Sequence, residues 1–361
     1  MASPQSARLP SARLPSARPL RARIVRPEAM SAGEIAAWRD LCAHVPQLHS
    51  AFYSHAFALA AARAGYRVRV AILEDAGGIA GIFPFQFRHR LAASLGMAER
   101  VGEEMSDYFG MIARPDFSIT PARLLSACRL HGCCFTHLDH WQATLGLSGE
   151  QPEISPRIVL PPDVAAYWDE IRQRDKKFIA DTQRCRKRIE KDLGPLRFEV
   201  QSADRAADFE VLLDWKRKQY LATTNADLFA QRHRERLLRI LLDAETDDCR
   251  GVMSVIRAGR EVVALHFGLQ CHEVLHYWFP VYDPAFKAYA PGRLLLSALI
   301  DAAAGEGIRI IDLGAGDSEA KRRMANDAVT VLRGMWSRTA ASRLVGRGLT
   351  FFQWRLGLPM M

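Results

Sequence analysis

Residues 273–321 read EVLHYWFPVYDPAFKAYAPGRLLLSALIDAAAGEGIRIIDLGAGDSEAK, and this stretch combines the signals of a strand, a turn, a helix and a second strand. The segment from Val274 to Tyr282 is rich in aromatic and β-branched residues, which predicts a buried strand. Pro291 suits a first helical position, and the leucines after it are spaced for one apolar helix face. The apolar run from Ile308 to Leu313 predicts a second buried strand. A right-handed crossover through the helix makes the two strands parallel.

The turn that starts this helix is a candidate phosphate site. Backbone N–H groups of Gly292, Arg293 and Leu294 lie at the positive helix end, which suits a phosphate or pyrophosphate, whereas Pro291 cannot donate. The alternative is a Pro-Gly pair that simply starts an ordinary helix.

The segment IIDLGAGD is a competing motif, because it resembles the glycine-rich first motif of Rossmann-type S-adenosylmethionine methyltransferases. Such a motif normally ends the first strand of a doubly wound sheet. Only 45 residues follow Gly316, which is too few for the βα units that this sheet still needs.

The chain upstream divides into a basic tail and a first domain. Residues 1–26 hold three near-copies of one five-residue unit and six arginines without an acid, a composition that predicts a disordered tail. An Arg-rich, acid-free leader is also typical of transit peptides, and Met30 is an alternative start. Residues 27–150 form the first predicted domain. It contains a capping box at Ser31 and Glu34 and a hairpin through Gly77 and Gly78.

Four prolines in residues 151–162 predict a linker, which places the second domain at 163–340 and a basic, aromatic tail at 341–361. Hydrophobic content of 49% supports packed cores, and no apolar run approaches the length of a membrane span. Seven cysteines without a CxxC pair indicate reduced thiols in a cytoplasmic protein, with no metal site expected.

The net charge of +9 is concentrated in particular segments. Residues 170–191 contain nine basic and four acidic residues, and residues 321–361 contain eight basic and one acidic residue. This distribution favours an acidic ligand or a membrane surface, here the inner membrane, met by particular elements. It does not favour a specific nucleic-acid binder. Solvated helix faces are the alternative explanation.

The order of predicted elements matches the core of GNAT acyltransferases: a strand, two helices, three sequential strands, a phosphate-competent turn, a helix and a strand. Six segments carry a closer resemblance, namely SDYFGMI (106–112), DKKFIADTQRCRKRIEKDLG (175–194), DWKRKQY (214–220), GREVVALHFGL (259–269), the turn at 291–293 and DLGAGDSEAK (312–321). Together, over residues 27–340, they resemble the Fem-like GNAT subfamily. Within it they are most similar to the CelD/BcsL-type acetyltransferases of cellulose and exopolysaccharide biosynthesis.

The resemblance implies an α/β (α+β) fold of tandem GNAT-like domains, with mixed central sheets flanked by helices. It also implies transfer of an acyl group from acetyl-CoA or another acyl-CoA to an N or O atom of a polysaccharide or cell-envelope precursor. The usual GNAT phosphate loop is reduced here to Gly292 and Arg293, which admits an aminoacyl-tRNA donor instead. Lys321 follows Ala320, where close relatives carry an aromatic residue. A non-catalytic scaffold of a membrane-bound polysaccharide synthase is a further alternative.

Acyl transfer needs a base, a stabilised oxyanion and a positioned donor. His266 is the first candidate base, Asp312 and Asp317 are alternatives, and Lys321 could hold an anionic group of the acceptor or act near the leaving thiolate. Pro291, Gly292, Arg293 and Leu294 form the predicted donor turn. The predicted acceptor site comprises the polar pair Asp107 and Tyr108, the residues Lys216 and Tyr220 of DWKRKQY, the aromatic residues Tyr277, Trp278 and Tyr282, and Asp317.

Overall fold

The computed structural model describes residues 20–224, 226–316 and 318–344. Within these ranges fourteen strands form one mixed sheet, and ten α-helices flank it. No helix among these residues is both long and apolar enough to cross a bilayer.

The first half of the chain contributes seven strands and four helices. In chain order they are β1 (Arg21–Val25), α1 (Ala32–His44), α2 (His55–Ala64), β2 (Arg67–Asp75), β3 (Gly78–Phe87), α3 (Arg90–Ser94), β4 (Met97–Glu99), β5 (Ile112–Ala113), α4 (Pro121–Ala127), β6 (Gly132–Asp139) and β7 (Gln151–Val159). The predicted capping box at α1 is present, with the Ser31 hydroxyl accepting from the Glu34 amide. The predicted hairpin forms β2 and β3.

The second half contributes the remaining elements. They are α5 (Val164–Arg174), α6 (Lys176–Leu193), β8 (Leu196–Glu199), α7 (Arg205–Thr224), α8 (Arg232–Leu242), β9 (Glu245–Thr246), β10 (Cys249–Ala258), β11 (Glu261–Cys271), β12 (Val274–Tyr282), α9 (Pro291–Ala302), β13 (Ile310–Asp312), α10 (Glu319–Met324) and β14 (Asp327–Ser337). The strands and helix predicted from residues 273–321 are confirmed as β12, α9 and β13, and β12 and β13 are parallel.

The two halves exchange their last strands within the sheet. The sheet order is β1-β2-β3-β4-β6-β14-β7-β13-β12-β11-β10-β8, with β5 beside β3 and β9 beside β10. A parallel pair occurs in each half, β4 with β6 and β12 with β13. In the first half, β6 pairs on its other side with β14, which comes from the second half. In the second half, β13 pairs on its other side with β7, which comes from the first half. The halves therefore mirror each other around the central β7–β14 pair, a tandem GNAT-like architecture in one continuous sheet.

Two predicted segment boundaries differ from the structure. Residues 151–159, predicted as a linker, form β7 in the middle of the sheet. Proline is tolerated there because the N atoms of Pro152 and Pro156 point away from β14. On that side of β7, carbonyl groups of the strand accept from the Leu313 and Gly316 amides. Residues 21–25, assigned to the disordered tail, pair as β1 with β2. The remaining tail residues 1–19, like residues 345–361, lie outside the described residues.

The geometry between β12 and β13 positions the candidate site. These strands pair only from Val274 to His276 on β12, and beyond His276 they separate. The second half of β12 and the loop after β13 therefore form the two walls of an opening. Helices α7 and α8 pack with α1 and α2 in one core, and α5, α6 and α9 cover a second core, so helices enclose the opening on both sides.

Candidate active site

A cavity of about 160 Å³ lies where β12 and β13 separate, at the junction of the two halves. Side chains from β6 and β12, from the loops after β4, α7 and β13, and from α7, α8 and α10 line it. They are Arg100, Glu104, Asp107, His137, Tyr220, Leu228, Arg234, Tyr277, Trp278, Phe279, Leu313, Gly314, Ala315 and Lys321. Six of these residues carry titratable acid, histidine or basic groups, so the cavity combines charge with aromatic walls.

Asp107 is the carboxyl group with the most perturbed environment in the cavity. Burial and the nearby Asp312 charge raise its pKa to about 6, against the opposing effect of Arg100 and Lys321. Gly314 has φ of +73°, and a Cβ on it would lie 3.4 Å from Asp107 Oδ2. Glycine therefore suits this loop conformation and its close approach to the carboxyl group. The result is a carboxyl group that titrates near neutrality beside a cavity.

Lys321 places its ammonium at the same loop. Nζ donates to the carbonyl oxygens of Gly314 at 3.0 Å and Ala315 at 2.9 Å. Burial lowers the pKa of Lys321, while Asp107 and Asp312 oppose that effect. The first turn of α10 directs this side chain back, because Ser318 caps the helix by accepting from the Lys321 amide. A cation and a carboxyl group thus meet at Gly314.

Asp312 and Tyr108 form a buried support behind these groups. The Tyr108 hydroxyl donates to Asp312 Oδ2 at 2.6 Å, and the other carboxyl oxygen accepts from Ser155 Oγ at 3.3 Å and the Gly314 amide at 2.8 Å. Neither Asp312 nor Tyr108 lines the cavity. Asp312 therefore holds the loop through its hydrogen bonds, and adjacent residues Asp107 and Tyr108 have different roles.

Two buried arginines line the cavity, Arg100 from the first half and Arg234 from the second. Arg100 donates to the Ser106 carbonyl and to His137 Nδ1, the latter at 2.7 Å, and burial with nearby positive charge lowers the pKa of His137 well below its usual range. Arg234, 1% exposed, donates to Glu103 at 3.0 Å and Glu104 at 2.5 Å. Because α8 belongs to the second half, this ion pair fastens the two halves at the cavity.

The predicted acceptor residues divide between this cavity and its surroundings. Tyr220, Tyr277 and Trp278 line the cavity. Lys216 lies behind that wall, with Nζ 5.5 Å from the Tyr220 ring and donating to Gln219 at 2.9 Å. Burial lowers the pKa of Lys216 to about 7. Tyr282 does not line the cavity, and it lies beside Gly292.

His266, the first candidate base, does not line this cavity. Its ring is fully buried and stacks on Tyr277 with centroids 4.3 Å apart. Burial lowers its pKa to about 3, so the ring is neutral at physiological pH. The sequence showed a histidine in a strand, but the side of the strand that it occupies depends on the β11 and β12 pairing.

The predicted donor turn is present but offers fewer amides than expected. The Arg293 and Leu294 amides both donate to the Ala290 carbonyl, at 3.0 and 3.2 Å. The Arg293 guanidinium pairs with Asp181 of α6 at 2.7 Å. Pro291 is buried and Leu294 faces a different cavity. Gly292 is therefore the donor in this turn that is not bonded to Ala290.

Asp317, the remaining predicted site residue, lies outside the described residues. The sequence interpretation missed Arg100, Glu104, His137 and Arg234, which reach the cavity from the loops after β4 and within β6 and from α8. Arg234 belongs to the sequence RHRER, which reads as a solvated charge run. Among the described residues no group of three or more His, Cys, Asp or Glu side chains is arranged to hold a metal ion.

Comparison with protein families gives one match within the chain. Residues 176–322 match the family model described as "Acetyltransferase (GNAT) domain". This range begins in α6 and ends in α10, so it includes β12, α9, β13 and Lys321. No match is found among curated protein sequences.

Two solved structures share the fold. The crystal structure of FemX aligns with a TM-score of 0.58 at 9% identity, covering 86% of this chain and 97% of that one. The C-terminal domain (DUF2156) of a putative lysylphosphatidylglycerol synthetase from Agrobacterium fabrum aligns with a TM-score of 0.52 at 11% identity, covering 88% and 96%. At these identities the likeness concerns the fold alone. Residues 176–322 thus match an acetyltransferase (GNAT) domain model, within a mixed α/β fold of two GNAT-like halves.

Proposed function

We propose that this protein transfers an acyl group from acyl-CoA, with acetyl-CoA the first candidate, to an amine or hydroxyl group. The acceptor we propose is a polysaccharide or cell-envelope precursor, as in cellulose or exopolysaccharide biosynthesis. One observation carries the proposal: Asp107 and Lys321 both lie against Gly314, where β12 and β13 separate in the second half. A base and a cation beside an opening are what acyl transfer requires.

Asp107 acts as the general base in this proposal. Its pKa of about 6 leaves the carboxylate form dominant at neutral pH, yet close enough to neutrality for efficient proton transfer. The carboxylate accepts a proton from the acceptor amine or hydroxyl while the lone pair of the acceptor N or O atom attacks the thioester carbonyl carbon. When the tetrahedral adduct collapses, the C–S bond breaks and the leaving thiolate takes the proton from Asp107, so the products are the acylated acceptor and the free CoA thiol, and the carboxylate is restored.

Lys321 stabilises the oxyanion formed in that step. Two hydrogen bonds, to the Gly314 and Ala315 carbonyls, hold the ammonium against the loop after β13. The remaining N–H of the ammonium donates to the developing negative oxygen. A preorganised cation in a site that excludes water is effective because it needs no reorganisation during the reaction. The Asp312 network keeps Gly314 in place beneath it.

The walls suit an acceptor that contains sugar rings. Tyr220, Tyr277 and Trp278 present flat surfaces, and charged groups of Arg100 and Glu104 lie among them. Aromatic faces pack against the apolar faces of a sugar, while charged side chains bond its hydroxyl groups. We further propose a cytoplasmic location with peripheral contact to the inner membrane or to a membrane-bound synthase, since such precursors are used there and the α6 face is basic.

An aminoacyl donor, as in Fem-like transferases, is the second candidate. The observation that favours it is the donor turn, where the Arg293 and Leu294 amides are bonded to Ala290 and the Arg293 side chain to Asp181. A turn with one available amide holds a pyrophosphate less firmly than a full cradle. Transfer of label from aminoacyl-tRNA, without thiol release from acetyl-CoA, would identify this activity.

The test is an acetyl-CoA assay that measures thiol release in the presence of amino sugars and nucleotide-linked sugars. We expect acceptor-dependent release by the wild type and a loss of at least about 100-fold in Asp107→Asn, the usual size of a general-base contribution. Asp116→Asn is the matched control, because Asp116 is an exposed carboxylate paired with Arg114 outside the cavity. Equal rates in Asp107→Asn and the control would overturn the assignment of the base.

A further inference from the structure

A second cavity, of about 380 Å³, lies beneath α5, α6 and α9. It shares no lining residue with the cavity that contains Asp107 and Lys321. Strands β8 and β10 form its floor. One hydrogen bond joins two of its walls, since Trp168 Nε1 on α5 donates to Asp301 Oδ1 on α9 at 2.6 Å. Its volume falls in the range of small-molecule sites, which is about 300–1,000 Å³.

The interior of this cavity is apolar. Ile179 of α6, Leu196 and Phe198 of β8, Ile256 of β10 and Leu294 of α9 supply its surface. Ile256 and Leu294 are nearly fully buried, so these side chains belong to the packed core and keep the cavity shape. An apolar interior of this kind stabilises an alkyl chain, because each buried CH₂ is removed from water.

One polar atom lies within these apolar walls. The Ser297 hydroxyl of α9 is buried and has no hydrogen-bond partner among the described protein groups. A buried hydroxyl without a partner is unfavourable, so a ligand that supplies an acceptor or donor there is favoured over a purely apolar one.

The rim of the cavity carries three arginines and two aspartates, Asp169 and Asp301. Arg172, Arg186 and Arg197 reach it from α5, α6 and β8. Arg172 and Arg186 form exposed ion pairs within their own helices, with Asp169 and Glu190. Arg197 is exposed and has no ion pair with a described residue. Positive charge at the mouth selects an anionic group, and exposed pairs of low stability can exchange partners.

We propose that this cavity binds a single-chain anionic amphiphile, with its alkyl chain between α6, α9 and the sheet and its carboxylate or phosphate head at Arg197. A single alkyl chain fits because the cavity volume is at the small end of the range for ligand sites. The commitment to a negative head follows from the three arginines. Nucleotides are a poorer match, since the interior is apolar where a base and ribose need polar partners.

The test measures binding of hexanoate, octanoate and decanoate to the full chain by titration calorimetry, with Trp168 fluorescence as a second signal. We expect affinity to rise roughly fourfold for each added CH₂, as expected for burial of an alkyl chain. Octyl phosphate should bind as octanoate does, and octanol more weakly. Affinity that does not change with chain length would overturn the proposal.

Two variants locate the ligand. Ala298→Phe fills the cavity and should abolish octanoate binding, while Ala302→Phe on the same helix, at a position that does not line the cavity, should leave it unchanged. Arg197→Gln should weaken octanoate binding about two- to fivefold at low ionic strength and leave octanol unaffected. If Ala298→Phe does not fold, Arg197→Gln alone tests the location of the ligand. Octanoate binding that is equal in wild type, Ala298→Phe and Arg197→Gln would place the ligand elsewhere.

Discussion

Asp107 makes the activity dependent on pH in a defined direction. Because burial and Asp312 raise its pKa to about 6, the carboxylate, which is the working form of the base, is lost as the pH falls through 6. We expect kcat/KM to fall about tenfold per unit below pH 6 and to be level above pH 7. The measurement is a pH–rate profile with acetyl-CoA.

A substitution at Asp312 tests the cause of that shift. Asp312→Asn keeps the shape of the side chain and removes one negative charge next to Asp107, so the inflection of the profile should move to lower pH. Its position can be read even if the variant is slow. An inflection that stays at about pH 6 in Asp312→Asn would argue against Asp107 as the titrating group.

Lys216 links stability to pH in the same direction as an acid whose pKa is lowered by folding. Its pKa is lowered to about 7 by burial, so between pH 7 and 10.5 the unfolded state holds a proton that the folded state lacks, and stability rises with pH across this window. We expect Lys216→Met to be more stable than wild type at pH 7, with the difference shrinking by about 2 kcal/mol at pH 9. Urea unfolding at both pH values measures this.

The control for that prediction is Lys218→Met. Lys218 is on the same helix, is 71% exposed and pairs with Asp214, so its effect should be nearly constant with pH. A constant difference between wild type and Lys216→Met would mean that Lys216 keeps its proton in the folded protein.

At this scale the sequence predicted some of the site and could not predict the rest. Asp107 stood out as a polar residue embedded in an apolar run, and Lys321 stood out through the resemblance of DLGAGDSEAK to Fem-like sequences. Arg100, His137 and Arg234 gave no such signal, since their positions depend on contacts between the halves. His266 misled because a strand residue points to one face or the other, and the face depends on the partner strands.

The start of α9 is an element whose sequence requirement can be separated from its ligand requirement. A Cβ on Gly292 would lie 3.7 Å from the Tyr282 ring, an ordinary contact. Gly292→Val should therefore change the free energy of unfolding by no more than about 1 kcal/mol. Acetyl-CoA affinity should fall further, because the side chain occupies the space beside the Gly292 amide.

Calorimetric titration of acetyl-CoA and melting curves of the apo proteins make the comparison. Gly305→Val is the control, as Gly305 follows the same helix and has open space around it. Unchanged acetyl-CoA affinity in Gly292→Val would place the donor away from α9. Weak binding to every protein would support the aminoacyl donor instead.

The elements themselves were largely predictable, with one instructive exception. The hairpins and α9 follow from alternation, glycine turns and apolar spacing, which are local signals. Residues 151–159 were predicted as a linker, yet they form β7. The N atoms of its prolines point toward the loop after β13 and not toward β14. No local sequence pattern predicts which strands are neighbours in the sheet.

For the molecule as a whole, the exchange of β7 and β14 predicts cooperative unfolding. Neither half has a complete sheet without a strand of the other, and the buried Arg234 pairs with Glu103 and Glu104 across the junction. We therefore expect one calorimetric transition, with a calorimetric enthalpy equal to the van't Hoff enthalpy.

Intrinsic fluorescence supplies an independent reading of the same melt. Trp38 lies in the first half and Trp168 in the second, so single-tryptophan variants that keep one or the other should melt at the same temperature. Two separate transitions would show that the halves are stable on their own.

The exchange of strands also has a consequence for synthesis on the ribosome. β6 ends at Asp139, and the strand that covers its open edge begins at Asp327, roughly 190 residues later. At roughly 5–20 residues per second, the nascent first half waits about 10–40 s with a bare strand edge before β14 emerges. Unpaired edges of this kind bind other extended chains. Strands of neighbouring nascent copies on one messenger can therefore compete with β14 for the open edge of β6. A chaperone that shields this edge during that interval should raise the yield of native protein.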